Sequence, residues 1–207
     1  MIRPLLVVLT LLAVSLLGCN SDDSPLTIPA EPVHTPTVIP LAVGNKWVRS
    51  FSLYDTSGVV FSSGVDSIEV LRDSLVRGIK YYVLKMQGLE HLVANRSNGL
   101  CWLTNFGEAL WYKFPATPRD SFFVYGNTSY VRIPTVDTSI IVPRGTFSCY
   151  RYELDGPASV GAIGGYHEIE FLSPDNGFIK LEFYSSTYTS ATHFLYSRIE
   201  LIKLTIK

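Results

Sequence analysis

The chain has 207 residues, 17 of them basic and 18 acidic, with 47% hydrophobic and 13% aromatic residues and three cysteines. So even a balance, with no basic stripe, gives no electrostatic case for nucleic acid. Residues 41–207 keep 16 basic and 15 acidic side chains and are long enough for one domain with a sizeable core.

The N-terminus carries Arg3 and then an apolar run from Leu5 to Leu17, interrupted only by Thr10 and Ser15. About 13 apolar residues match the core of a secretory signal and fall short of the ~20 that cross a bilayer as a helix. The run ends in Leu16-Leu17-Gly18-Cys19, which resembles the lipobox of bacterial lipoproteins. That resemblance implies that residues 1–18 are a signal peptide and that Cys19 becomes the lipidated N-terminus. Two or more acyl chains, at about 0.8 kcal/mol per buried methylene, anchor a protein stably where one does not. The expected location is the cell envelope, with the chain lipid-anchored in the outer membrane.

Residues 19–40 read as a tether. Pro25, Pro29, Pro32, Pro36 and Pro40 recur among few large apolar residues, and proline favours extended, semi-rigid chain. Its opening, Asn20-Ser21-Asp22-Asp23-Ser24, resembles the surface-export signal of lipoproteins from Bacteroidetes-type bacteria. Surface display and a periplasmic position both remain open.

From Leu41 onward the chain reads as one all-β domain. Val, Ile, Thr, Tyr and Phe dominate, and no stretch sustains apolar spacing of three and four. Strands are predicted at Lys46–Tyr54, Val65–Leu71, Ile79–Met86, His91–Asn95, Leu100–Thr104, Ala109–Phe114 and Ser121–Tyr125. They continue at Ser129–Ile133, Ser139–Val142, Thr146–Leu154, Tyr166–Leu172, Phe178–Tyr184 and Phe194–Ile206. Ile179, Leu181 and Phe183 alternate with Lys180, Glu182 and Tyr184, as a half-buried antiparallel strand requires. His167, Ile169 and Phe171 likewise oppose Tyr166, Glu168 and Glu170. Asp175-Asn176-Gly177 is a strong hairpin signal, because Asn and Gly tolerate positive φ. The expected architecture is an antiparallel meander forming a curved sheet, half-barrel or barrel with little helix. Charges in mid-strand, such as Arg151, Glu153, Lys180 and Glu182, argue against a membrane-spanning barrel, whose outer band is apolar.

Three motifs carry a further resemblance: Pro40-Leu41-Ala42-Val43-Gly44-Asn45-Lys46-Trp47, Pro143-Arg144-Gly145-Thr146-Phe147-Ser148-Cys149-Tyr150 and Ser173-Pro174-Asp175-Asn176-Gly177-Phe178-Ile179-Lys180. Together the chain resembles a group of secreted lipoproteins from Bacteroidetes- and Chlorobi-type bacteria. The resemblance implies an exported β domain and lends no activity. A fainter architectural likeness is to the half-barrels that carry lipoproteins through the periplasm.

Motifs for chemistry are sparse. Cys101 and Cys149 are an even pair in an oxidising compartment and a candidate disulfide. His167-Glu168-Ile169-Glu170 lies on a strand, so His167 faces away from both glutamates and lacks zinc-site spacing. Gly161, Gly164 and Gly165 precede no Lys-Ser/Thr pair or helix, so a phosphate cradle lacks its parts. No Gly-x-Ser-x-Gly elbow occurs. His91, His167 and His193 are expected to lie far apart, and no cofactor is expected. The aromatic excess centres on Trp102, Trp111 and Tyr112, the candidate ligand-contacting residues. The favoured function is a non-catalytic binding or structural module for a lipid, peptide, glycan or envelope protein. The alternative is an envelope hydrolase with a dispersed catalytic site.

Overall fold

The computed structural model describes residues 35–124, 130–156, 165–186 and 193–207. The expected cleavage site, Cys19, His34, most of the tether and the glycines at 161 and 164 lie outside the described residues. Among the described residues there are twelve strands and no helix. They are β1 (Lys46–Tyr54), β2 (Val60–Val76), β3 (Ile79–Met86), β4 (Leu89–Arg96), β5 (Gly99–Thr104), β6 (Gly107–Lys113), β7 (Asp120–Phe123), β8 (Tyr130–Val142), β9 (Gly145–Gly156), β10 (Tyr166–Ser173), β11 (Gly177–Ser186) and β12 (His193–Thr205).

All pair antiparallel in one sheet, in the order β6-β5-β4-β3-β2-β1-β12-β11-β10-β9-β8-β7. Two six-stranded meanders are therefore joined along β1 and β12. The sheet curls into a nearly closed barrel, with β6 and β7 as its two edges. Period-two patterning places every expected strand. Two differences are physical. The runs either side of Pro134 belong to one strand, β8, whose pairing with β9 shifts register around Thr135 and Thr138. Such shifts let proline sit in a sheet without a ladder hydrogen bond. β2 begins at Val60, ahead of the expected Val65, because Ser62, Ser63 and Gly64 pair with β1 despite their low strand propensity.

The barrel encloses one core. Trp47, Ile68, Leu84, Val93, Leu100, Ile133, Leu172 and Leu201 are fully buried. Packing begins ahead of Leu41: Val38 and Ile39 are buried, and the Thr37 amide donates to the Asp175 carboxylate at 3.0 Å. Residues 37–40, read from proline spacing as tether, are thus part of the domain, their apolar pair covering the core.

Two of the sequence motifs meet here. The Trp47 indole N–H donates to the Asn176 carbonyl. Gly177 has φ +79°, and a Cβ there would sit 2.9 Å from the Trp47 ring. Glycine is therefore required twice over, for the turn and for close approach to the indole. Asn45, fully buried, donates to the Pro40 carbonyl and accepts from the Lys207 amide, both at 2.9 Å.

Candidate functional site

β10 places Glu168 and Glu170 on one face, two residues apart, so their side chains project in the same direction. Register sets Glu168 beside Leu154 of β9 and Phe183 of β11, and Glu170 beside Tyr152 and Leu181. This face looks into the barrel. Across the interior stands β6, whose register against β5 shifts between Leu100 and Cys101. The extra residue turns both Trp111 and Tyr112 inward, and their rings stack with centroids 5.4 Å apart. Gly99 permits this: at φ +135°, a Cβ there would lie 1.9 Å from the Tyr112 carbonyl oxygen. Only glycine lets the two strands approach so closely.

A cavity of about 80 Å³ results, lined by Trp111, Tyr112, Val124, Val131, Tyr152, Leu154, Glu168 and Glu170. The Tyr112 hydroxyl donates to the Glu170 carboxylate. The Tyr152 hydroxyl donates to the Lys113 carbonyl at 2.9 Å, bridging the barrel from β9 to β6. The two tyrosine rings meet edge to face at 5.2 Å.

The electrostatics are unusual. Burial, reinforced by the charge of Glu168, pushes Glu170 up to about 8, against the opposing Tyr112 hydrogen bond and the Arg49 charge. Burial raises Glu168 as well. Two neighbouring acids in a partly enclosed cleft titrate as a pair. Arg49, buried on β1, is the cation nearest in effect, and its guanidinium already grips Asp66 through two hydrogen bonds. Burial, with the charge of Glu170, raises the Tyr112 hydroxyl well above the usual tyrosine range.

The candidate aromatics come together as a run. Trp102 and Trp111 lie 5.7 Å apart between ring centroids, and His91 stands 6.2 Å and 6.1 Å from them. Trp111 and Tyr112 line the cavity. Trp102 sits behind them, with its indole nitrogen buried and without a hydrogen-bond partner.

Three expectations need correction. Cys101 and Cys149 are free, buried thiols rather than a disulfide. They lie on β5 and β9, which are not neighbours in the sheet, and the core cluster takes in Cys149 but leaves out Cys101. Burial pushes Cys101 up to about 11 and Cys149 up to about 12, so neither is a ready nucleophile. The histidines are not all far apart: His167 and His193 have ring centroids 6.3 Å apart, and His167 Nδ1 lies 2.6 Å from Asp155. Strand register causes this, since β10, β11 and β12 are consecutive neighbours. Asp155 and His193 are exposed, so this group lies on the outer surface and not in the cleft. The third correction concerns Glu168 and Glu170: alternation groups them with Tyr166 and leaves their side of the sheet open, and the structure turns both into the cleft.

No cluster of three or more His, Cys, Asp or Glu able to hold a metal occurs among the described residues. No family model matches the chain, and no curated protein matches it. Two solved structures are similar. One is a candidate lipoprotein from Parabacteroides distasonis, 18% identical over 83% of this chain and 100% of that one, with a TM-score of 0.46. The other is a candidate exported protein with a YmcC-like fold from Bacteroides fragilis, 12% identical over the same shares, with a TM-score of 0.42.

Proposed function

We propose that this chain is an outer-membrane lipoprotein, anchored through acylated Cys19, whose barrel binds a small ligand in the cleft beneath Trp111 and Tyr112. The observation that carries the reading is the acid pair Glu168–Glu170, held in an aromatic-lined cavity rather than on the solvent face. Desolvating two carboxylates side by side costs several kcal/mol unless something compensates. A fold that needed only stability would place apolar side chains there.

The acid pair also favours a second reading, the hydrolase, because burial raises two acids side by side. Geometry argues against it. Carboxyls that cleave a glycosidic bond flank it from two sides. Glu168 and Glu170 project from one strand in one direction, so they do not flank a bond held in the cleft.

Native mass spectrometry of the membrane-extracted protein tests the proposal. It should show cleavage before Cys19 with added acyl mass, and a small molecule retained by the native chain and lost from Trp111→Ala. An unmodified N-terminus would remove the anchor from the reading. Turnover across esterase, glycosidase and peptidase substrates, abolished by Glu170→Gln, would replace binding with catalysis.

A further inference from the structure

Building on the binding reading, we infer that the cleft receives the protonated head of a primary alkylamine, its ammonium between Glu168 and Glu170 and its methylenes against Trp111, Tyr112 and Tyr152. The acceptors come first. Glu168, partly exposed, has no hydrogen-bond or ion-pair partner among the described residues, and burial raises it as one of a pair with Glu170. Glu170 receives one hydrogen bond, from Tyr112, where an ionised carboxylate has about four acceptor sites. The missing counterpart is a group that brings donors and positive charge.

Among the described residues none supplies it. Arg49 is committed to Asp66. Lys180 lines a small neighbouring cavity with Arg49 and Glu170, but its ammonium pairs with Glu182 at 2.9 Å. Register carries the Lys180 side chain to the opposite face, beside Phe171.

The walls and the volume narrow the class. Three aromatic rings can embrace a cation and its alkyl stem. A cavity of about 80 Å³ admits a small cationic head and excludes a sugar ring. A primary ammonium offers three donors to the two carboxylates, and a quaternary one offers none. A free alkylamine and a lysine side chain share this head group.

Proton linkage gives the inference a distinctive signature. The groups facing Glu170 are Arg49 from β1, Tyr112 from β6, Tyr152 from β9 and Glu168 from its own strand, with Lys180 of β11 at the rim. Burial raises both acids, so without a cation beside them the pair holds a proton to higher pH than a free carboxylate does. An entering cation displaces that proton, so affinity rises between pH 6 and pH 8, by at most about tenfold per unit for one proton. An alkylamine stays charged throughout this range, as lysine does with its pKa of about 10.4.

The test uses calorimetry and tryptophan fluorescence on the full detergent-extracted chain, with n-butylammonium, n-butanol and tetramethylammonium as probes. n-Butylammonium should bind at least about tenfold more tightly than either of the others and release protons, seen as a dependence on buffer ionisation heat. Glu168→Gln and Glu170→Gln should each weaken it about tenfold or more. Glu182→Gln on the outer face should not. Acetyl-lysine methylamide, compared with n-butylammonium, separates a lysine side chain from a free amine as the source. Equal binding of n-butanol, or unchanged affinity in both cleft variants, would overturn the ammonium assignment while leaving the cleft a binding site. If none of the probes binds, the assignment fails, and the copurified molecule lost from Trp111→Ala decides the binding reading separately.

Discussion

Glu170 and Glu182 are both glutamates on adjacent strands of one sheet, and their environments drive them in opposite directions. Burial pushes each upward. At Glu182, on the outer face, hydrogen bonds from Lys180 and Tyr184 and the charges of Lys180 and Arg198 outweigh burial and hold the carboxyl below its usual range. At Glu170, on the inner face, a hydroxyl and one committed arginine are not enough, and it rises to about 8. The outer face is a lattice of ion pairs, Arg132 and Arg151 with Glu153, and Lys180 and Arg198 with Glu182. It keeps Ile169 and Phe171 covered while meeting water with charge, since long side chains shield apolar surface with their stems. The difference teaches that the inner acids are kept short of cations while the outer ones are saturated.

The sharpest way to break this contrast is to strand the interior cation. Asp66→Ala leaves Arg49 buried without its bidentate partner and should cost about 3–5 kcal/mol in urea unfolding. It should also leave Arg49 freer to hold Glu170 ionised, lowering the pKa of Glu170 in an NMR titration.

Glu170→Gln comes next. A carboxyl with a raised folded pKa binds more protons folded than unfolded, so its contribution to stability falls as pH rises from about 4.5 to about 8, by at most about 1.4 kcal/mol per unit. The variant should therefore gain about 1–3 kcal/mol relative to wild type between pH 5 and pH 8. A parallel pair of pH–stability curves would remove Glu170 as the source.

Glu182→Gln tests the other side with the opposite sign. A lowered carboxyl stabilises above its unfolded pKa and loses that contribution as pH falls through its folded value. Ion pairs shared with solvent are screened, so the expected cost is about 0.5–1 kcal/mol at pH 7, shrinking as the pH falls below the usual carboxylate range. Thermal melts at pH 7 and pH 3 measure it.

The smallest effect concerns the thiols. Reducing agent should leave the melting temperature unchanged, because Cys101 and Cys149 are free. Both should react with a thiol reagent only in denaturant. Peptide mapping that found them linked would contradict the fold at both strands.

Period two and turn chemistry are local, so the strands and the Asp175-Asn176-Gly177 hairpin were legible in the sequence. Alternation also separated Glu168 and Glu170 from Ile169 and Phe171. It could not say which side is inward, because hydropathy alone favours burying Ile169 and Phe171, and here both faces of β10 are covered. Trp111 and Tyr112 are consecutive, and alternation sends consecutive residues to opposite faces. Only the register shift against β5, pinned by Gly99, brings both into the cleft. The nearness of His167 to His193 and the separation of Cys101 from Cys149 depend on strand order, which no local pattern encodes.

Asn45 ties the amide of Lys207 to the start of β1. A fusion partner or epitope added after Lys207 therefore leaves the barrel at the end where the chain enters it. The Asp55–Val59 turn caps the far end, nine residues of β1 away, about 30 Å at strand rise. The barrel is thus a ruler with two addressable marks: a label after Lys207 departs beside Asn45 and the start of β1, whereas one inserted at Ser57-Gly58 projects from the opposite rim.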